Sequence, residues 1–197
     1  MNNKKLTESF FTRDCLTVGK ELVGKYLVRH IDNEKVIVKI TETECYLGHI
    51  DKACHAYGGK ITNRTKTFYL NGSTIYVYLI YGMYYCLNIV TDKINNPSAV
   101  LIRSAEPVFN IEKLSMTRYN KPYNTITPYQ KKNMLNGPGK LCKALNIDKS
   151  FNEKSILDKE LYILDNKAFD INTVKAGKRI NIDYAQEAKD FLWRFYI

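Results

Sequence analysis

Between Glu44 and Asn88 the chain gathers a carboxylate, an imidazole and a crowd of aromatic side chains. They are Glu44-Cys45-Tyr46, then His55, then Tyr76-Val77-Tyr78-Leu79-Ile80-Tyr81-Gly82-Met83-Tyr84-Tyr85. Aromatic rings stack a flat ligand and attract it further if it is cationic. A carboxylate beside them can activate a water against a neighbouring bond. Together these residue types point to a nucleobase as the ligand.

Bulk charge agrees with that direction. Thirty Lys plus Arg against twenty Asp plus Glu leave a formal charge of +10 over 197 residues, which predicts attraction to polyanions and an affinity that falls with salt. Two segments carry the excess. From Asn110 to Lys143 the basic residues Lys113, Arg118, Lys121, Lys131, Lys132, Lys140 and Lys143 are opposed only by Glu112. Between Lys52 and Tyr69 there are Lys52, Lys60, Arg64 and Lys66 and no acid. These are the expected phosphate-facing surfaces, with Lys60, Arg64 and Lys140 as candidate phosphate ligands. The length suits one domain, 1–197, with room for a sizeable core.

Cysteine usage argues for a reducing compartment. Cys15, Cys45, Cys54, Cys86 and Cys142 are odd in number and form no CxxC pair, so neither a disulfide framework nor a zinc cluster is indicated. No apolar signal core follows Met1-Asn2-Asn3-Lys4-Lys5 and no stretch approaches bilayer length, so a cytoplasmic location is expected. No Gly-rich phosphate loop or metal-ligand spacing calls for a cofactor.

The elements that must position these residues can be read in outline. Asp14 caps a short helix carrying Leu16, Leu22 and Val23, and Gly24 ends it. A strand follows from Tyr26 to Ile31, then a turn at Asp32-Asn33, then a long strand from Val36 to Leu47. One face of that second strand carries Val36, Val38 and Ile40, then Glu42, Glu44 and Tyr46, so a core face gives way to carboxylates and a tyrosine. Ser73 to Val90 reads as a β-hairpin or a sharply bent strand pair with Gly82 at the turn, which leaves Tyr81, Met83 and Tyr84 at an exposed tip. A further strand is predicted over Ala99 to Arg103, with helices near Val108 to Met116 and Pro128 to Leu135. Asn136-Gly137-Pro138-Gly139-Lys140-Leu141 looks like a helix entrance with free backbone amides, suited to a phosphate. An amphipathic helix is predicted from Asp183 toward Phe191, and Trp193-Arg194-Phe195-Tyr196-Ile197 as a terminal strand.

Three runs carry a resemblance: Glu42-Thr43-Glu44-Cys45-Tyr46-Leu47-Gly48, Asp51-Lys52-Ala53-Cys54-His55, and Tyr76 through Asn88. With Phe10-Phe11-Thr12-Arg13-Asp14, Val100-Leu101-Ile102-Arg103, Gly137-Pro138-Gly139-Lys140-Leu141 and the ending Arg194-Phe195-Tyr196-Ile197, the chain resembles the alkyladenine (3-methyladenine) DNA glycosylases over nearly its whole length. The resemblance implies an α+β fold: a single compact domain with a curved, mostly antiparallel sheet, flanking helices and a protruding β-hairpin that enters DNA. It implies Tyr81 as a wedge filling the gap left by an extruded nucleotide, with Met83 and Tyr84 beside it. Tyr46, His55 and Tyr78 would line the base pocket, and Asn88 would obstruct the amino group of guanine. Glu44 matches the family's catalytic carboxylate, and Arg103 a basic residue near the pocket floor. No lysine matches a pocket position, so no Schiff-base step is implied. The implied partner is duplex DNA containing damaged purines, gripped by a monomer, and the implied product is an abasic site of base-excision repair.

Blander readings stand beside these. Glu44 in a strand is more often a solvated carboxylate, a lone His55 more often structural, and the tyrosines can be an ordinary half-buried strand. Lys60, Arg64 and Lys140 can be solvated charges. Beside removal of alkylated purines, other functions use the same residues: removal chiefly of deaminated purines such as hypoxanthine, a non-catalytic damaged-base reader that flips and shields lesions, and a basic RNA-binding protein that stacks bases on tyrosines.

Overall fold

The computed structural model describes residues 3–197. A one-turn helix, α1 (Glu8–Phe11), precedes α2 (Cys15–Leu22), which begins where the Asp14 carboxylate accepts from the Thr17 amide at 2.8 Å. Gly24, at φ +86°, turns the chain into β1 (Tyr26–Ile31). Asp32 and Asn33 both take positive φ, the pattern of a tight hairpin turn, and lead into the 14-residue β2 (Glu34–Leu47). Downstream lie β3 (Ile75–Ile80), β4 (Tyr84–Val90), β5 (Ser98–Phe109), α3 (Ile111–Tyr119), α4 (Pro128–Lys132), α5 (Pro138–Ala144), β6 (Leu161–Leu164), β7 (Lys175–Gly177) and β8 (Arg194–Tyr196).

The curled sheet runs β3-β4-β5-β2-β1-β6, with every one of these pairings antiparallel. β2 is long enough to serve two neighbours on one edge. β1 pairs with it over Glu34 to Lys39, and β8 takes over from Glu42 to Glu44, with β7 outside β8. Between these stretches the β2–β5 register shifts around Ile40 to Thr43, and such irregularities bend a strand and re-aim its side chains. The shift changes which positions face the core: Val36, Val38 and Ile40 before it, Cys45 after it, so Glu42 and Glu44 do not simply continue the apolar face as alternation alone suggests. One buried cluster joins Phe11 near the start to Phe195 at the end, through Val36, Val38, Ile40, Val100, Ile102 and Leu141. All five cysteines are free and buried. No helix among the described residues is long and apolar enough to cross a membrane.

Opposite the acidic face, β2 lies close on α2. Thr43 Oγ1 donates to the Gly19 carbonyl at 2.8 Å, and a Cβ at Gly19 would overlap the Cys45 sulfur. Gly19→Ala is therefore expected to lose about 1–3 kcal/mol, seen as a lower denaturation midpoint. An unchanged midpoint would show that α2 can slide away from β2 freely.

Several elements differ from their sequence-based expectation. β5 continues past Arg103 to Phe109, because Pro107 is accommodated next to a register shift at Ile37/Val38 instead of ending the strand. The following helix starts at Ile111, where the Asn110 side chain accepts from the Lys113 amide. α4 stops at Lys132, after opening with a Thr127/Gln130 capping box. Asp183–Asp190 is a 3-10 segment broken at Gln186 (φ 51°), not an amphipathic α-helix, and the Ala188 carbonyl accepts from Arg179.

The hairpin matches expectation. β3 and β4 pair Tyr76 with Asn88 and Tyr78 with Cys86, and close at Ile80↔Tyr84. Tyr81 (φ 54°) and Gly82 (φ 69°) form its turn. A tyrosine at positive φ is uncommon and costs of order 1–3 kcal/mol, yet this one is 73 % exposed and Met83 beside it 67 %. Tyr81→Asn, whose side chain tolerates that backbone, is expected to raise the denaturation midpoint. A lowered midpoint would show that the Tyr81 ring contributes packing that outweighs its backbone cost.

Candidate active site

Tyr46, Tyr78, Asn88 and Arg103 come from four neighbouring strands, β2, β3, β4 and β5, and converge on one cavity of about 580 Å³. The loop after β2 adds His55, and Arg64 lies on the next turn. The entrance of α5 adds Gly139 and Lys140, the hairpin tip adds Tyr81 and Tyr84, and the segment before β8 adds Ile180 and Tyr184.

Glu44 sits beneath this cavity, fully buried. Its Oε1 accepts from the Ile180 amide at 2.7 Å. Oε2 accepts from the Tyr46 hydroxyl at 2.7 Å and meets Arg103 Nη1 at 3.4 Å. Burial pushes its pKa above the ordinary carboxylate value, and Arg103, the Ile180 amide and the Tyr46 hydroxyl offset part of that. Arg103 also donates from Nε to Glu42 at 3.1 Å, so one guanidinium bridges two carboxylates. A carboxylate offers about four acceptor positions. Three are used here, and one is left without a partner among the described residues.

The neutral form of His55 is fixed by its neighbours. Arg64 Nη2 lies 3.1 Å from Nε2, and a guanidinium only donates. Nε2 therefore accepts, and Nδ1–H donates to the Tyr76 hydroxyl at 3.0 Å. Burial, with Arg64 adding to it, lowers the pKa to about 4. A group with that pKa holds almost no proton to donate at neutral pH. The Tyr78 ring stands edge-on to His55 at 4.7 Å between centroids, and Tyr76 stacks behind Tyr78 at 5.4 Å. Asn88, on the same face, donates from Nδ2 to the Tyr76 carbonyl at 3.1 Å.

The candidate residues thus fall into three groups. Tyr46, His55, Arg64, Tyr78, Tyr81, Tyr84, Asn88, Arg103 and Lys140 line the cavity, with Glu44 behind them. Met83 lies at the exposed tip, and Lys60 is exposed outside the lining. Lys140 reaches Asn133 Oδ1 at 2.6 Å, on the wall nearest the hairpin, where Gly139 packs closely on the Tyr84 ring. Sequence reasoning missed the Ile180 amide, Tyr184 and the role of Tyr76 behind Tyr78 and His55. It also missed a fully buried ion pair, Asp51–Arg179, beneath the loop that carries His55.

The profile of the methylpurine-DNA glycosylase family matches residues 9–197. Among curated relatives, a protein of Clostridioides difficile (strain 630) is 53% identical over 201 residues, covering 98% of this chain and 100% of its own. One of Clostridium perfringens (strain SM101 / Type A) is 53% identical over 196 residues, covering 98% and 95%, and one of Desulfitobacterium hafniense (strain Y51) is 46% identical over 194 residues with the same coverage. All three carry the name "Putative 3-methyladenine DNA glycosylase". With its buried carboxylate beneath an aromatic cavity and a family match over nearly its whole length, the chain belongs to the methylpurine-DNA glycosylases, hydrolases that act on N-glycosyl bonds in DNA.

Proposed function

We propose that this protein is a monofunctional glycosylase that flips alkylated purines out of duplex DNA and hydrolyses their N-glycosidic bond with a water activated by Glu44. The single observation that carries the reading is the burial of Glu44 directly behind the cavity lining, held by three residues of that lining, Tyr46, Arg103 and Ile180. A carboxylate buried at a cost in solvation is hard to explain in a protein that only shields lesions.

In this account Tyr81 enters the stack as the nucleotide leaves it, with Met83 and Tyr84 against the neighbouring bases. Unstacking costs roughly a few kcal/mol, less for a damaged base. Tyr46, His55 and Tyr78 receive the base, each aromatic contact contributing about 1–3 kcal/mol. Asn88, held by the Tyr76 carbonyl, opposes the amino group of guanine, and rejection by clash supplies selectivity that stacking lacks. Lys60, Arg64 and Lys140 serve in this reading as phosphate contacts, Arg64 from the cavity lining beside His55. One domain, acting as a monomer, suffices for a single lesion.

The water oxygen attacks the sugar C1′ and gives a proton to Glu44. The C1′–N bond breaks, and its electron pair leaves with the base. The carboxylate also stabilises the positive charge that develops on the sugar. A purine alkylated at N3 or N7 is cationic and leaves as a neutral base without further help. Hypoxanthine needs a proton that neutral His55 cannot give, so its release is expected to be slower.

The test is base release from a duplex carrying one alkylated purine, read as alkali-labile strand cleavage, with borohydride present in a parallel reaction. Alkali-labile sites without a trapped covalent complex are expected. Tight lesion binding without release would favour the non-catalytic reader, and a trapped complex would overturn the monofunctional mechanism.

A further inference from the structure

Asp51 and Arg179 have fully buried side chains. Arg179 donates bidentately to Asp51, at 2.5 Å from Nη1 and 2.8 Å from Nη2. The same two nitrogens donate to the Cys45 carbonyl at 2.8 Å and the Ala188 carbonyl at 3.1 Å. Asp51 also accepts from the amides of Leu47 and Ala53. The guanidinium is held between two rings, 4.7 Å from the Tyr46 centroid and 5.1 Å from that of Trp193. Arg179 does not line the cavity, whereas Tyr46 does, so the cation lies behind the tyrosine. Its neighbour Ile180 supplies the amide that binds Glu44. Nε has no partner.

A buried ion pair is a poor source of stability compared with well-packed apolar residues, so its place here calls for another reason. It ties together β2, the loop leading to His55 and the segment leading to Ile180. It also sets the electrostatics behind one aromatic wall. A bare cation behind Tyr46 would repel a second cation on the front of the ring, and Asp51 cancels that repulsion.

We propose that Arg179 and Asp51 are positioning and specificity residues of the base pocket: the pair orients Tyr46 and the Ile180 amide, and its neutrality preserves the pocket's attraction for cationic purines. The proposal rests on the reading that Tyr46 stacks the flipped base. It separates the pair's electrostatic role from a merely structural one, because loosening the pocket would slow every substrate alike.

The experiment compares single-turnover release of cationic 7-methylguanine and neutral hypoxanthine from otherwise identical duplexes. Where native release of hypoxanthine is too slow to follow, the ratio of dissociation constants for the two duplexes is read instead. In Asp51→Asn, which leaves the cation uncompensated, the preference for 7-methylguanine is expected to fall about tenfold relative to native protein, the scale of one charge acting across a ring at an effective dielectric of about 20. In Arg179→Met, which leaves the anion held by two amides, the preference is expected to rise. If Asp51→Asn does not fold, the sign in Arg179→Met decides. Equal losses on both substrates in either folded variant would overturn the proposal. Failure of the native protein to release 7-methylguanine would instead overturn the hydrolytic reading itself.

Discussion

Glu44→Gln is expected to slow base release by about 10³-fold or more while leaving lesion binding within a few-fold of native. The amide oxygen of glutamine can still accept from the Ile180 amide or the Tyr46 hydroxyl, so the floor of the cavity stays in place. It cannot take a proton from water, and it brings no negative charge to the sugar. Its NH₂ group has no favourable partner in Arg103. Single-turnover release and equilibrium binding on the same duplex separate the two effects. A variant that lost binding and release in equal proportion would make Glu44 a structural residue, and one that kept its rate would remove it from the chemistry.

Arg103→Met is expected to be the next most damaging change, through a different route. Arg103 bridges Glu42 and Glu44 and is the largest influence holding the Glu44 pKa down against burial. Without it, two carboxylates face each other in a dry site, and Glu44 holds its proton to higher pH. Release at pH 7 is expected to fall at least about 100-fold and to recover in part as pH rises, which no loss of binding alone would produce. The stability sign runs the other way. A carboxyl whose folded pKa lies above its unfolded value stabilises the fold while protonated, and that contribution is lost as pH rises through the folded pKa. Relative to native protein, Arg103→Met should therefore be least destabilised at acid pH and most at neutral pH, where breaking a buried pair costs about 3–5 kcal/mol. Chemical denaturation at several pH values checks this. A pH-independent deficit in both rate and stability would mean that Arg103 acts by packing alone.

Much of the site was legible because strand alternation is a strong signal. Glu42, Glu44 and Tyr46 at alternate positions, and Tyr76, Tyr78, Cys86 and Asn88 brought to one face by a hairpin centred on Gly82, are close to what the structure contains. The register shift around Thr43 was not legible, because an irregularity of one residue leaves no mark on alternation. Boundaries failed where a local signal competed with pairing. The sequence predicts a strand end at Arg103 and a helix beginning near Val108, yet β5 runs through Pro107 to Phe109. The 183–190 segment has an amphipathic pattern, yet Gln186 breaks it into 3-10 turns. The Asp51–Arg179 pair joins residues 128 positions apart, and nothing in either neighbourhood announces the other. Ile180 contributes through its backbone, which no side-chain reasoning can find.

The central claim is that an ionised Glu44 activates the attacking water, and the most direct test is the single-turnover rate of 7-methylguanine release measured from pH 4 to pH 8. The account expects a rate that falls as pH drops through an apparent pKa above the ordinary glutamate value, with that limb absent from the slow residual reaction of Glu44→Gln. A native rate flat across this range, or the same acid limb surviving in Glu44→Gln, would contradict it.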